Sequence, residues 1–348
     1  MRDHTIEPAQ VQARREYYDR IDKQNLTPLW EVLDRLVTPE PVSPVVPALW
    51  RYAEVREPLM EAGRLISAAE AERRVLILEN PALRGRSAIT QTMYAGLQLI
   101  MPGEVAAAHR HTQSALRLLL EGEGAYTAVD GERTTMRRGD FILTPAWTWH
   151  DHGNPGIQPA IWLDGLDVPL VRTLDASFSE RSSVAAQLQA KPEGDALKRY
   201  GANMLPIDYQ PAAVSPSPVF VYPYERARES LLGIAHGEPD SHLGFKLRYV
   251  NPATGGSPMP TIGAYAQRLP DGFETRPYRC TDGTVYVCLE GSGEAEIDGE
   301  LLRFGTNDIF VVPSWNVLRI HATSDTHLFS FSDRPVHQAL GLWREARE

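Results

Sequence analysis

Three closely spaced histidines carry the chemistry that can be read from this chain. His109 and His111 lie in HRHTQSALRLLLEGEG, and His150 lies in GDFILTPAWTWHDHGN. Residues i and i+2 of a β-strand share a face, so an extended segment points His109 and His111 the same way. His150 follows after a second glycine-punctuated set of strand-like runs. Three neutral imidazoles on one face bind a divalent transition metal and leave coordination positions open. Two adjacent open positions can take a chelating ligand and a further one a second reactant, which fixes both in a reactive geometry. Imidazole serves Fe, Zn, Cu and Ni alike, so the ligand set alone does not select the metal.

The elements that must position these residues are short strands. From 76 to about 168, β-type runs such as VLILENP, TMYAGLQLIMPGE and AIWLDGLDV alternate with Gly, Pro and Asp, as in a sandwich or barrel. From about 261 the chain repeats itself. EGEGAYTAVDGE (121–132) is echoed by EGSGEAEIDGE (290–300), and GDFILTPAWTWH (139–150) by NDIFVVPSWNVL (307–318). The organisation expected is a helical N-terminal arm (1–75), a first β domain (76–170), a connecting region (171–250) and a second β domain (251–348). Within the arm, Thr27-Pro28 before LWEVLDRLV reads as an N-cap followed by Pro at the first helical position. AAEAERRV (68–75) fits either a helix or a lead-in to a strand. In the connecting region, PYERARESLLGIA (223–235) reads as a helix behind the Pro-rich stretch YQPAAVSPSPVFVYP.

The first repeat resembles the cupin pattern, G-x5-H-x-H-x3,4-E-x6-G followed by G-x5-P-x-G-x2-H-x3-N. Gly103, His109, His111 and Gly122 stand at the first spacing; Gly139, Pro145, His150 and Asn154 stand at the second. Two positions depart from it. Ala115 replaces the usual Glu, leaving three histidines without a carboxylate, and Trp147 replaces a glycine. A two-cupin chain of this length with YAGLQLIMPGE, HRHTQSALR, GDFILTPAWTWHDHGN and WLDGLD resembles the gentisate 1,2-dioxygenase family, which includes salicylate and 1-hydroxy-2-naphthoate dioxygenases. The resemblance spans roughly 70–335 and is most specific in the first cupin. It implies a mainly β bicupin, Fe(II) at His109, His111 and His150, and a homotetramer. It also implies ring opening with O2 between the carboxylate-bearing and hydroxyl-bearing carbons, giving maleylpyruvate from gentisate. The second repeat lacks the ligands. Tyr278, Cys280 and Leu318 fall at the three histidine positions and His321 lies off register, so the second cupin reads as metal-free and structural.

Around the triad, Arg117 is six residues beyond His111 and shares its face if the strand continues. Its guanidinium suits a substrate carboxylate, and its apolar neighbours make an unpaired charge costly there. His152 shares a face with His150 and is a candidate acid/base or hydrogen-bonding group. Asp164 is a candidate partner for a ring hydroxyl, ahead of Asp167. Tyr94, Gln113 and Trp147 are candidates to line the pocket. Arg73 or Arg74 is a candidate for a second carboxylate contact.

The bulk numbers narrow the classes. In 348 residues the formal charge is -10, with 43% hydrophobic and 23% charged residues. That is an ordinary globular composition, and no basic run suggests nucleic acid. No apolar stretch is long enough for a membrane helix, and MRDHTIEPAQVQARREYYDR lacks the apolar region of a secretory signal. The two cysteines, Cys280 and Cys288, make no disulfide framework and read as buried small hydrophobes in a reducing cytoplasm.

Overall fold

The computed structural model describes residues 8–212 and 215–348. Expectations that touch residues 1–7, or Ala213 and Val214 in the Pro-rich stretch, lie outside the described residues. The chain divides into two compact units, Met1–Val42 and Ser43–Glu348. In the first, α1 (Pro8–Asp22) is followed by a 3-10 turn at Leu29–Glu31 and the short α2 (Leu33–Leu36). The single helix expected over LWEVLDRLV is broken at Val32 (φ -129°, ψ -3°), and Pro28, not Thr27, precedes its first turn without a side-chain cap. None of its residues is buried. Without a capping oxygen or a packed face, so short a helix does not propagate.

In the second unit β1 (Ala48–Trp50), α3 (Tyr52–Leu65), α4 (Ala68–Ala71) and β2 (Val75–Ile77) precede the first set of strands. AAEAERRV supplies both of its possible readings, α4 capped by Ser67 and then the start of β2. The first set is β3 (Tyr94–Ile100), β4 (Val105–His111), β5 (Ala115–Glu121), β6 (Tyr126–Val129), β7 (Glu132–Thr135), β8 (Phe141–Thr144), β9 (His150–Gly153) and β10 (Ala160–Leu166). The connection holds α5 (Val168–Thr173), β11 (Ser179–Arg181), α6 (Asp195–Tyr200), β12 (Val221–Tyr222), α7 (Tyr224–Ile234) and β13 (Phe245–Arg248). The second set is β14 (Gly263–Leu269), β15 (Tyr278–Cys280), β16 (Thr284–Glu290), β17 (Ser292–Ile297), β18 (Glu300–Gly305), β19 (Ile309–Val312), β20 (Leu318–Ala322) and β21 (Thr326–Ser332), followed by α8 (Arg334–Ala339) and β22 (Glu345–Arg347).

Each half has a six-stranded and a five-stranded sheet. The orders are β12-β8-β5-β10-β3-β2 with β11-β4-β9-β6-β7, and β1-β19-β16-β21-β14-β13 with β18-β17-β20-β15-β22. The two six-stranded sheets share one core: Leu97, Leu116, Leu118 and Leu163 of the first sheet with Val285, Val287, Phe329 and Phe331 of the second. Because strand side chains alternate, the other face of each sheet looks into its own half. On β5, Leu116, Leu118 and Leu120 enter the shared core, while Leu119 joins a separate cluster with Ile142 and Trp162. Arg117 shares the Leu119 face. This two-sided burial explains why these strands read as continuous apolar runs.

The halves exchange short elements. β1, from the stretch read as a helical arm, pairs with β19 of the second half, and β12 pairs with β8 of the first. The helices behind them are anchored alike. The Tyr52 N–H donates to Asp308, while its hydroxyl and Arg56 donate to Glu121. The Tyr224 N–H donates to Asp140, while its hydroxyl and Arg228 donate to Glu290. A second reciprocal pair ties Thr261 to Asp167 and Thr92 to Asp333.

Candidate metal centre and substrate pocket

β4 and β9 are antiparallel neighbours with His109 opposite His150. One potential ligand atom from each of His109, His111 and His150 lies within 4.8 Å of the others. Among the described residues no other group of three His, Cys, Asp or Glu side chains forms such a cluster. Their Nδ1 atoms face carbonyls: His111 that of Gln113 at 2.9 Å, His150 that of Thr148 at 2.9 Å, and His109 that of Ala107 at 3.4 Å. A proton held on Nδ1 leaves Nε2 as the ligand lone pair, the usual outer support of a metal-binding imidazole. The Nε2 atom of His150 is buried and has no hydrogen-bond partner. A buried polar atom without a partner is costly, and a metal ion removes that cost, so the residues fit such an ion. Burial, with smaller contributions from Arg73 or Arg117, pulls His109 down to about 3 and His111 to about 4; burial holds His150 well below its ordinary value. All three are therefore neutral near pH 7, the form that ligates.

The opposite wall comes from the six-stranded sheet of the same half. Arg117 on β5 pairs in register with Asp164 on β10, and Asp164 with Gly96 on β3. Arg117 Nε is 3.4 Å from Asp164 Oδ1, and both side chains are about 95% enclosed (5% and 6% exposed). Arg117 also donates to the Thr144 hydroxyl. Its Nε has no hydrogen-bond partner, so donor capacity remains. Asp164 Oδ1 accepts from the Trp162 indole N–H at 3.0 Å. Burial pushes Asp164 up to about 6, against the opposing pull of Arg117 and Trp162. Tyr94, on the same strand face as Gly96 and Gln98, leans over Gly96: a Cβ there would lie 2.8 Å from the Tyr94 hydroxyl. Burial and then Asp164 raise the Tyr94 hydroxyl above its ordinary value.

His152 is buried beside this wall, with its ring 5.8 Å from that of His150 and 5.6 Å from Trp162. Its Nδ1 lies 3.0 Å from the Thr127 hydroxyl and its Nε2 has no partner. Arg73, not Arg74, stands by the histidines. It donates to the Ala107 carbonyl at 2.6 Å and touches His109 Nδ1, while Arg74 is engaged with Glu104 at 2.8 Å and with the Ile66 carbonyl. Burial and Arg117 lower Arg73 to about 10. Gln113 supplies its carbonyl to His111 and turns its amide to Ser177. Trp147 packs on Phe178 at 4.5 Å and under Arg110, which alternates away from His109 and His111 on β4. Its backbone N–H donates to the His111 carbonyl at 2.7 Å. Asp167 accepts from Ser114 N–H and Thr261 and serves the joint between halves.

The motif spacing does not reveal Thr127, Thr144, Trp162 or Gln98. Trp162 and Gln98 had one available signal, strand alternation with Asp164 and Tyr94. The two threonines act across strands distant in sequence, and nothing local marks them.

In the second half, Tyr278 faces Leu318 in register, as His109 faces His150. Tyr286 and Ser330 pair where Arg117 and Asp164 pair in the first. The space there is nearly filled, about 10 Å³, around Lys246, Cys280, Asp282 and Arg334.

Paired β-sheets with three imidazoles gathered inside the first half define a cupin with a site suited to a metal ion, and the cupin domain family matches residues 96–166. The chain is 52% identical over 344 residues to gentisate 1,2 dioxygenase 1 of Aquipseudomonas alcaligenes, covering 99% of each chain. It is 34% identical to the 1-hydroxy-2-naphthoate 1,2-dioxygenase of Nocardioides sp. (strain KP7), covering 98% of this chain and 90% of that one. The solved salicylate 1,2-dioxygenase of Pseudoaminobacter salicylatoxidans, an adduct with gentisate, superposes with a TM-score of 0.92 at 34% identity, covering 99% and 96% of the two chains. The chain belongs to the gentisate 1,2-dioxygenase family of ring-cleaving dioxygenases.

Proposed function

We propose that this chain is an Fe(II)-dependent gentisate 1,2-dioxygenase that uses O2 to open gentisate to maleylpyruvate in the breakdown of aromatic compounds. The observation that carries this reading is the union of an unpartnered buried His150 Nε2 in a three-imidazole cluster with two guanidiniums and one carboxylate in the same half. Full-length identity to a gentisate enzyme supports the substrate. Fe(II) held by His109, His111 and His150 supplies open coordination positions and an electron path between an aromatic ring and O2.

The chain's own groups do the rest. Arg73 and Arg117 outnumber Asp164, so the pocket is cationic before any metal enters, which suits a substrate carrying a carboxylate and an ortho hydroxylate. Arg117, with Nε–H unspent, takes the substrate carboxylate. A metal held by His109 would leave the proton on its Nδ1, facing the Ala107 carbonyl. Arg73, which touches that nitrogen, would then be free to donate to the substrate. A Thr127 O–H donated to His152 Nδ1 leaves the proton on Nε2, a donor for a substrate hydroxyl oxygen. Asp164 and Tyr94 offer the polar groups that meet the second ring hydroxyl. Trp162, Ile142 and Leu119, on the Arg117 face of the sheet, exclude water.

The second half, with Tyr278, Cys280 and Leu318 in the ligand positions, is read as structural and metal-free, so one iron per chain is expected. The same reading carries the family's homotetramer and a reducing cytoplasm, with Cys280 and Cys288 both unpaired. The test is a panel of hydroxybenzoates. Gentisate is expected as the best substrate, salicylate as poor, and 3- and 4-hydroxybenzoate as inert because they cannot chelate. Salicylate turning over as fast as gentisate would move the chain to a salicylate-type activity. Two occupied metals per chain would overturn the role of the second half.

A further inference from the structure

A cavity of about 250 Å³ opens between α6, α7 and β13, and shares no residue with the metal centre. Its walls include Leu197, Tyr222, Leu247 and Tyr249, and Arg226 and Arg248 stand at its mouth. No acidic side chain lines it. Among the described residues neither guanidinium takes a hydrogen bond or an ion pair. Two uncompensated cations over an aromatic floor are not needed to fold this element, because the duplicated half provides a control. Aligning the halves on Tyr52 and Tyr224, which begin α3 and α7, places Glu54 opposite Arg226. Aligning the β2–β3 and β13–β14 ladders on Gln98 and Gln267 places Ile77 opposite Arg248. The fold accommodates an acid and an aliphatic residue at these places, so the arginine pair is particular to this cavity.

We propose that this cavity is a second binding site, for a small aromatic carboxylate, with the ring on Tyr222 and Tyr249 and the carboxylate between Arg226 and Arg248. The volume is close to the lower end of small-ligand pockets, about 300 Å³, and suits a single-ring acid. A guanidinium pairs a carboxylate by two parallel N–H bonds, and the apolar walls supply the burial. A ligand here bridges the connection (α6, α7) to β13 at the edge of the second half's sheet.

The probe is 4-fluorobenzoate, followed by fluorine NMR with the full-length protein, iron-loaded and anaerobic, and with full-length His150→Ala, in which the metal centre is disabled. A bound fraction should persist in His150→Ala, because the cavity shares no residue with the metal centre. Arg226→Ala with Arg248→Ala should weaken it by about tenfold or more, the loss expected of charge-assisted bonds, while gentisate turnover stays unchanged. Ala227→Trp, which fills the cavity from α7, should abolish it. Loss of all binding in His150→Ala, or binding that survives both cavity variants, overturns the site. The two variants decide the matter even if gentisate does not bind the metal centre, so a wrong substrate assignment and a wrong cavity remain distinguishable.

Discussion

Replacing Arg117 by methionine separates what this residue does for the fold from what it does for the substrate. Arg117 and Asp164 are both about 95% enclosed and face each other in register at 3.4 Å. Removing the guanidinium strands a carboxylate among Trp162, Thr144 and leucines. Breaking a buried pair from one side costs about 3–5 kcal/mol of stability. Arg117→Met should therefore unfold at markedly lower denaturant, and Arg117→Met with Asp164→Asn should recover most of the loss, because the second change removes the stranded charge. Catalysis should behave differently. Truncating a hydrogen-bonded buried charge partner costs about 2–5 kcal/mol in recognition, roughly 30-fold to several thousand-fold in kcat/KM for gentisate. The double variant should not regain it. Arg117→Lys, which keeps charge but not the planar fork, should fall between. Iron content should stay at the wild-type level throughout, since Arg117 makes no hydrogen bond to His109, His111 or His150. The assays are urea unfolding, oxygen uptake and metal analysis on one preparation. Near-normal kcat/KM in the rescued double variant would remove Arg117 from the carboxylate site and leave it a structural residue.

Asp164, pushed up to about 6 by burial, should give gentisate kcat/KM an acid limb near pH 6 that Asp164→Asn flattens. Because its folded value lies above its ordinary 3.8, folding favours the protonated form, and this group adds stability as pH falls from about 6 towards 4. The lost activity should therefore occur without unfolding, which circular dichroism checks. Thr127→Val should lower kcat with iron retained while Thr127→Ser stays near wild type, because only the hydroxyl sets the His152 tautomer; equal activity in both variants removes that role. Tyr52→Phe and Tyr224→Phe should each cost about 1 kcal/mol in urea unfolding, the worth of one hydrogen bond, with gentisate turnover unaltered.

The ligand set was legible because its spacing is local: His109 and His111 are i and i+2, and His150 closes a second motif. Arg117 was expected on His111's own strand, and that premise fails: β4 ends at His111, and Arg117 stands on β5 in the other sheet of this half, facing the site from the opposite wall. Its partner Thr144 and the pair Thr127 and His152 were not legible, because they meet across strands whose register no short motif encodes. The choice between Arg73 and Arg74 turned on Glu104, which engages Arg74 from a loop thirty residues on. Trp147 was expected at the pocket from its place beside His150. Its backbone is left-handed (φ +59°), which fits the glycine that the cupin pattern has there and turns the indole onto Arg110 and Phe178. Trp315 repeats this in the second half, with φ +66° and Arg279 over its ring. The exchange of β1 and β12 was invisible, since strands of three and two residues carry no periodicity to read.

The central claim is that the His109, His111 and His150 centre holds iron at which gentisate is opened by O2. Anaerobic loading with Fe(II), addition of gentisate and admission of measured O2 tests it most directly. The account predicts one O2 consumed per gentisate, a ring-opened product heavier than gentisate by both oxygen atoms, and loss of iron and uptake together in His150→Ala. Oxygen uptake that persists in His150→Ala, or a product that gains one oxygen atom or none, would contradict it.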